Sequence, residues 1–126
     1  MYIYLFDPVQ GYIPIEIPMD AEQLLRRLGV TGRVIGFQYA VYMIERVARD
    51  PGRIQLITKR LYPETARQFH TTASAVERSI RTLIHVIWNK EDHSFLDAIA
   101  GAHLTRVPSV SDFVDMSAGF LRKLRF

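Results

Sequence analysis

No cysteine occurs in this chain of 126 residues. Disulfides and thiolate metal sites are therefore excluded, and a reducing cytoplasm is a compatible setting. No run approaches the ~20 consecutive apolar residues of a membrane span, and the opening Met1-Tyr2-Ile3-Tyr4-Leu5-Phe6 lacks the basic region that starts a signal peptide. Also missing are a glycine-rich phosphate loop, an HExxH helix, a cysteine nucleophile and a recognisable serine, histidine and carboxylate arrangement. An enzyme is accordingly the weakest reading, and no cofactor is expected. Glu91, Asp92, His93, Asp97 and His103 offer scattered metal-ligand chemistry, but their spacing fits no helical or loop metal motif, so no metal is expected either.

Basic residues are missing from one end only. Residues 1–20 hold Asp7, Glu16 and Asp20 and no Lys or Arg, which leaves 10 acidic against 16 basic residues in the remainder, a net of +6. A surface of that sign attracts nucleic acid by releasing counterions. With 48% hydrophobic and 23% charged residues, the chain is long enough for one folded core and too short for two ordinary domains.

The most informative stretch is Thr71 to Trp88. Ala73, Val76, Ile80, Leu83, Ile84 and Ile87 recur at three- and four-residue steps, while Ser74, Glu77, Arg78, Arg81 and His85 fall on the opposite side of the same helix. One face suits a core and the other is left free. Just upstream, Tyr62 to Phe69 reads as a short helix with Pro63 in its first turn. His70 must then close that helix in the left-handed conformation usually given to glycine. A short helix, a tight corner and a longer helix with an arginine-bearing outer face predict a helix-turn-helix.

These residues resemble a known family. The run from Ile57-Thr58-Lys59-Arg60-Leu61-Tyr62-Pro63 through Phe69-His70-Thr71-Thr72-Ala73-Ser74-Ala75-Val76-Glu77-Arg78-Ser79-Ile80-Arg81 is similar to the C-terminal DNA-binding effector domain of the stage-zero sporulation response regulator of endospore-forming bacteria. The similarity extends back through Leu28-Gly29-Val30 and Gly36-Phe37-Gln38-Tyr39 and forward to Trp88, Pro108 and Phe113, covering roughly residues 24 to 124. It implies an all-helical domain that reads a TGTCGAA-type operator box through the helix opening at Thr72. Two departures from the family pattern stand out. Ala75 occupies a position where the family tends to carry arginine. Only about twenty residues precede the similar span, too few for the family's phosphoacceptor receiver domain.

The expected architecture is thus a multi-helix bundle containing a helix-turn-helix (residues 20–126), preceded by a short β-hairpin (residues 1–19). Ile13, Ile15 and Ile17 alternate with Tyr12, Pro14 and Glu16, the period of a strand, and Pro14 confines that strand to an edge. A two-stranded hairpin is marginal alone in water. Either it packs on the helices of its own chain, or it joins the same element of a second chain to make a homodimer in place of the receiver. Asp20 and Gln23 predict a capping box for the first helix, with Met19 and Leu24 as a hydrophobic staple and Gly29 as its end. A second helix is expected from about Val34 to Arg49, stopped by Asp50-Pro51-Gly52, with Arg46, Arg49 and Arg53 as helix-end charges. Ile54, Ile57 and Leu61 predict a further helix ahead of a break at Pro63. Later helices are expected from a Ser94 and Asp97 cap to Gly101, and from about Ser111 to the end.

The outer face of the Thr72 helix has two competing explanations. Ser74-Ala75-Val76-Glu77 fits a capping box, and Glu77 with Arg81 fits a solvated i, i+4 pair. Alternatively an arginine fork donates to O6 and N7 of guanine and a glutamate accepts from cytosine N4 in the major groove. On that reading Arg78 reads guanine, Glu77 reads cytosine, and Arg81 makes a second base or phosphate contact. Thr71, Thr72 and Ser74 offer short hydroxyls to phosphates near a helix N-terminus. The resemblance adds Lys59, Tyr62 and Arg106 as phosphate contacts. The expected function is sequence-specific transcription regulation by binding double-stranded DNA, without a membrane, in the cytoplasm at the nucleoid. The alternative is a protein-interaction module that keeps the fold with weak or no operator binding, motivated by Ala75 and the missing receiver.

Overall fold

A computed structural model describes residues 1–125. Strands β1 (Tyr2–Asp7) and β2 (Gly11–Glu16) form an antiparallel hairpin, followed among the described residues by six α-helices: α1 (Ala21–Arg27), α2 (Phe37–Arg49), α3 (Tyr62–Gln68), α4 (Ala73–Trp88), α5 (Ser94–Ala100) and α6 (Val110–Leu124). The all-helical bundle with its leading hairpin agrees with the sequence expectation.

In the hairpin, Ile3 faces Ile15, Leu5 faces Ile13 and Tyr4 faces Pro14. The Ile17 amide donates to the Met1 carbonyl at 2.8 Å, so by the alternation of an antiparallel ladder Tyr4 and Pro14 form a non-hydrogen-bonded pair. The amide that proline lacks would have pointed outward there, which is why Pro14 is tolerated on this edge. Ile13 and Ile15 are buried, with Ile3 and Leu5 packed against the core, and β1 rests on α5. The hairpin therefore does pack on the helices of its own chain.

The Asp20 carboxylate accepts from the Gln23 amide and the Gln23 side chain accepts from the Asp20 amide, completing the expected capping box on α1. Glu45 on α2 accepts from the Ala21 amide at 3.1 Å and from Arg125 at 2.7 Å, tying both ends of the helical region to α2. Met43, Ile44 and Val47 of α2 meet Phe113, Val114 and Leu121 in one buried cluster, with α6 running against α2 and α4.

Four expectations need correction. Helix α2 begins at Phe37 and not near Val34, because Gly36 adopts φ 89° and breaks the helical path. No separate helix ends at Pro63. Residues Pro51–Leu56 form a 3₁₀ stretch and Ile57–Leu61 a π turn that runs directly into α3, with Pro63 in its first turn. Ser94 does not cap α5 with Asp97. The Asp92 carboxylate accepts from the Ser94 amide at 2.9 Å, while Asp97 serves the following loop. Finally, α6 starts one residue early, at Val110, capped by Ser109.

Candidate nucleic-acid interface

Helix α3 ends as its sequence requires. His70 sits at φ 55°, the Thr71 amide donates to the Ala66 carbonyl at 2.9 Å and the His70 amide to Arg67 at 3.4 Å. This is a Schellman closure with histidine in the glycine position. It turns the chain sharply enough for Thr72, in an extended conformation, to open α4, where its hydroxyl accepts from the Ala75 amide at 3.1 Å. The capping role assigned to Ser74 and Glu77 thus belongs to Thr72, and the third helical position is Ala75, which has no side chain to return the bond. Ser74 is exposed, and Glu77 is free to pair with Arg81 at 3.2 Å.

The two faces of α4 separate as the periodicity demands. Val76, Ile80, Leu83, Ile84 and Ile87 are buried, together with Ser79, while Ser74, Arg78, Arg81 and His85 are exposed. Gly36 explains how closely the scaffold seats this helix. A Cβ at that position would lie 2.4 Å from the Ser79 carbonyl oxygen, so only glycine lets the start of α2 meet the middle of α4.

Helix α3 is held by Glu64, whose carboxylate accepts from the Tyr42 hydroxyl at 3.0 Å and pairs with Arg46 at 2.6 Å and with Arg53. Burial works against the charge. Even so, the Tyr42 hydroxyl and the two guanidiniums hold the Glu64 carboxyl below the usual carboxylate range. Arg46 and Arg53 are thus struts between α2, the 3₁₀ stretch and α3, a role beyond simple helix-end charge.

The candidate residues divide by position. Glu77, Arg78 and Arg81 share the outer face of α4, with Thr71, Thr72 and Ser74 at its start. Of these Glu77 and Thr71 are half-buried and the rest exposed. Lys59 is exposed on the π turn, and Arg106 is exposed on the connection between α5 and α6, outside the helix-turn-helix. Tyr62 is buried at the start of α3. Burial raises its hydroxyl to a pKa of about 12, the Glu77 charge adds to that and Arg81 opposes it, so the phenol stays protonated.

Two cations were not singled out in the sequence. Arg60 and Arg67 join Lys59, Arg53, Pro63 and Glu64 around a cleft of about 240 Å³ on the outside of α3. Positions 60, 64 and 67 follow the i, i+4, i+7 spacing of one helical face, a signal hidden by the expectation of a break at Pro63. A separate concavity of about 460 Å³ lies between the hairpin tip and the α4–α5 connection, lined by Val9, Gln10, Asp92, His93, Asp97 and His103. There the Asp97 carboxylate is taken up by His103 Nδ1 at 2.8 Å and the Leu104 amide at 3.0 Å. Among the described residues no group of three or more His, Cys, Asp or Glu is arranged to hold a metal ion, and no helix is long and apolar enough to cross a membrane.

The family model described as Sporulation initiation factor Spo0A C terminal matches residues 21–121, from the first residue of α1 to within three residues of the end of α6. The match takes in the 3₁₀ and π segments, the corner at His70 and the whole of α4, and leaves the hairpin outside. This chain belongs to the sporulation initiation factor Spo0A C-terminal family, a family of DNA-binding transcription regulators.

Proposed function

We propose that the domain recognises a TGTCGAA-type box in duplex DNA by laying the outer face of α4 in the major groove. The observation that carries this reading is Arg78. It is exposed on α4, has no ion-pair partner among the described residues, and stands directly after Glu77 and about one turn before Arg81, which pair with each other. A guanidinium so placed is free to donate two bonds to guanine O6 and N7. Glu77, steadied by Arg81, accepts from cytosine N4, and Arg81 turns its remaining donors to a base or phosphate.

Lys59, Thr71, Thr72, Ser74 and Arg106 supply phosphate contacts, and the cleft cations Arg60 and Arg67 extend that set along α3. Thr72 already accepts from Ala75, so its hydroxyl proton is what remains for a phosphate oxygen. For Tyr62 burial suggests a different part, supporting the Glu77 and Arg81 pair from below. Two copies joined through the hairpin belong to the same reading, as does a place at the nucleoid.

Selection of bound duplexes from a random pool tests the proposal. A TGTCGAA-like consensus is expected, with the guanine and cytosine preferences relaxed in Arg78→Ala and Glu77→Ala respectively. A pool that stays unenriched would reject it and favour a fold kept for protein contacts.

A further inference from the structure

The outward face of the hairpin is aromatic. Tyr2, Tyr4, Phe6 and Tyr12 are 62%, 68%, 64% and 71% exposed, and Met1 and Val9 more so. Phe6 and Tyr12 meet edge to face across the strands at 5.7 Å, and Pro14 lies beside Tyr4. Isolated surface apolar residues are ordinary, but a contiguous patch of this kind marks an interaction site. None of these side chains is needed to bury the hairpin, because Ile3, Leu5, Ile13 and Ile15 do that from the other face.

We infer that this face docks against the same face of a second copy, two hairpins packing back to back about a two-fold axis near Tyr4. This deepens the two-copy reading above and rests on it. Area supports the occupant: four rings with roughly two-thirds of a ~200 Å² side chain exposed, together with Met1, Val9 and Pro14, supply on the order of 800 Å² per chain, a standard-sized interface. Charge supports it as well. Residues 1–20 carry no Lys or Arg, so an anionic lipid surface or nucleic acid finds no basic side chain to pair with. The carboxylate of Glu16 lies opposite Tyr2 at the end of the face away from the tip, leaving a two-fold copy to meet mainly rings around Tyr4.

Position leaves the interface clear of DNA. The hairpin tip approaches the α4–α5 connection, where Gln10 reaches Asp92 at 3.5 Å. The first turn of α4 lies a whole helix of 16 residues away, about 24 Å along its axis. The start of the recognition helix and the hairpin tip therefore lie at opposite ends of α4.

Sedimentation equilibrium of the full chain from low to high micromolar concentration, compared with the double variant Tyr4→Ser, Phe6→Ser, tests this. A dimer that weakens at least tenfold in the variant, with unchanged circular dichroism, is expected. A wild-type monomer at high micromolar, or a variant that dimerises as well as wild type, overturns it. A second readout uses the cysteine-free background: Tyr4→Cys is expected to form a disulfide-linked dimer on mild oxidation, whereas Gln23→Cys on α1 stays monomeric. Equal cross-linking of the two also counts against the proposal. Binding of the double variant to a single operator duplex, expected to match wild type, shows whether a failure belongs to the pairing or to DNA recognition.

Discussion

Helix α4 and the hairpin each bury one face in the same core and turn the other outward, yet the outward faces have opposite chemistry. On α4 the exposed positions are Ser74, Arg78, Arg81, Thr82 and His85. On the hairpin strands they are Tyr2, Tyr4, Phe6, Tyr12, Pro14 and, at the end, Glu16, so four of the six are aromatic rings. Burial on the inner side is interchangeable, since Ile80 and Ile15 are equally hidden. What distinguishes the two regions is the partner each outer face tolerates: a polyanion for guanidiniums, a neutral apolar surface for rings.

The sharpest way to break the comparison is to disturb the seat of α4 alone. Gly36→Ala places a methyl group against the Ser79 carbonyl at a backbone angle that side chains resist. It should cost about 3 kcal/mol, the sum of left-handed strain and overpacking, as measured by urea unfolding. Operator binding should fall with it, while self-association through the hairpin persists in the fraction that remains folded.

Next in size is Arg78→Ala, expected to cost about 1–3 kcal/mol at the cognate guanine and to relax preference there. A binding titration with single-base variants of the box checks this, and the hairpin should be indifferent to it. Thr72→Ala removes the cap of α4 and should lower stability by about 1 kcal/mol, readable in thermal unfolding with the hairpin variants as controls.

The smallest effect is a pH dependence to which the helix-turn-helix side contributes through Glu64. The Glu64 carboxyl is held below its ordinary value, so its stabilising contribution is fully present above the ordinary carboxylate pKa and is lost as pH falls through the depressed one. Melting temperature should therefore drop on acidification below about pH 4.5, and Glu64→Gln should flatten part of that slope. A variant as steep as wild type would show that Glu45 and the other carboxylates account for it.

Much of this was legible in the sequence because it is local. The stripe on α4, the capping box at Asp20 and the left-handed closure at His70 are each decided by residues within one or two turns. The contacts that aim the site are not local. Nothing near Gly36 announces that Ser79 will press against it, and Glu64 gives no sign of choosing Tyr42, Arg46 and Arg53 from another helix and a 3₁₀ stretch. The helix opens at Thr72 as expected, and the capping box that Ser74 and Glu77 also offer is not formed, for a related reason. Thr72 and Ser74 are both good caps, and the closure at His70 determines which of them arrives extended. Among the candidate contacts, the burial of Tyr62 follows from how α3 packs on α4, which no spacing along the chain reveals.

The central claim concerns recognition by the outer face of α4, and one measurement addresses it most directly. Wild type and Arg78→Ala are titrated with a TGTCGAA duplex and a scrambled duplex over a range of salt. The account predicts that wild type keeps a preference for the box at every salt concentration and that the variant largely loses it while retaining salt-sensitive attraction to both. Equal wild-type binding to the two duplexes, weakening in parallel as salt rises, would contradict it.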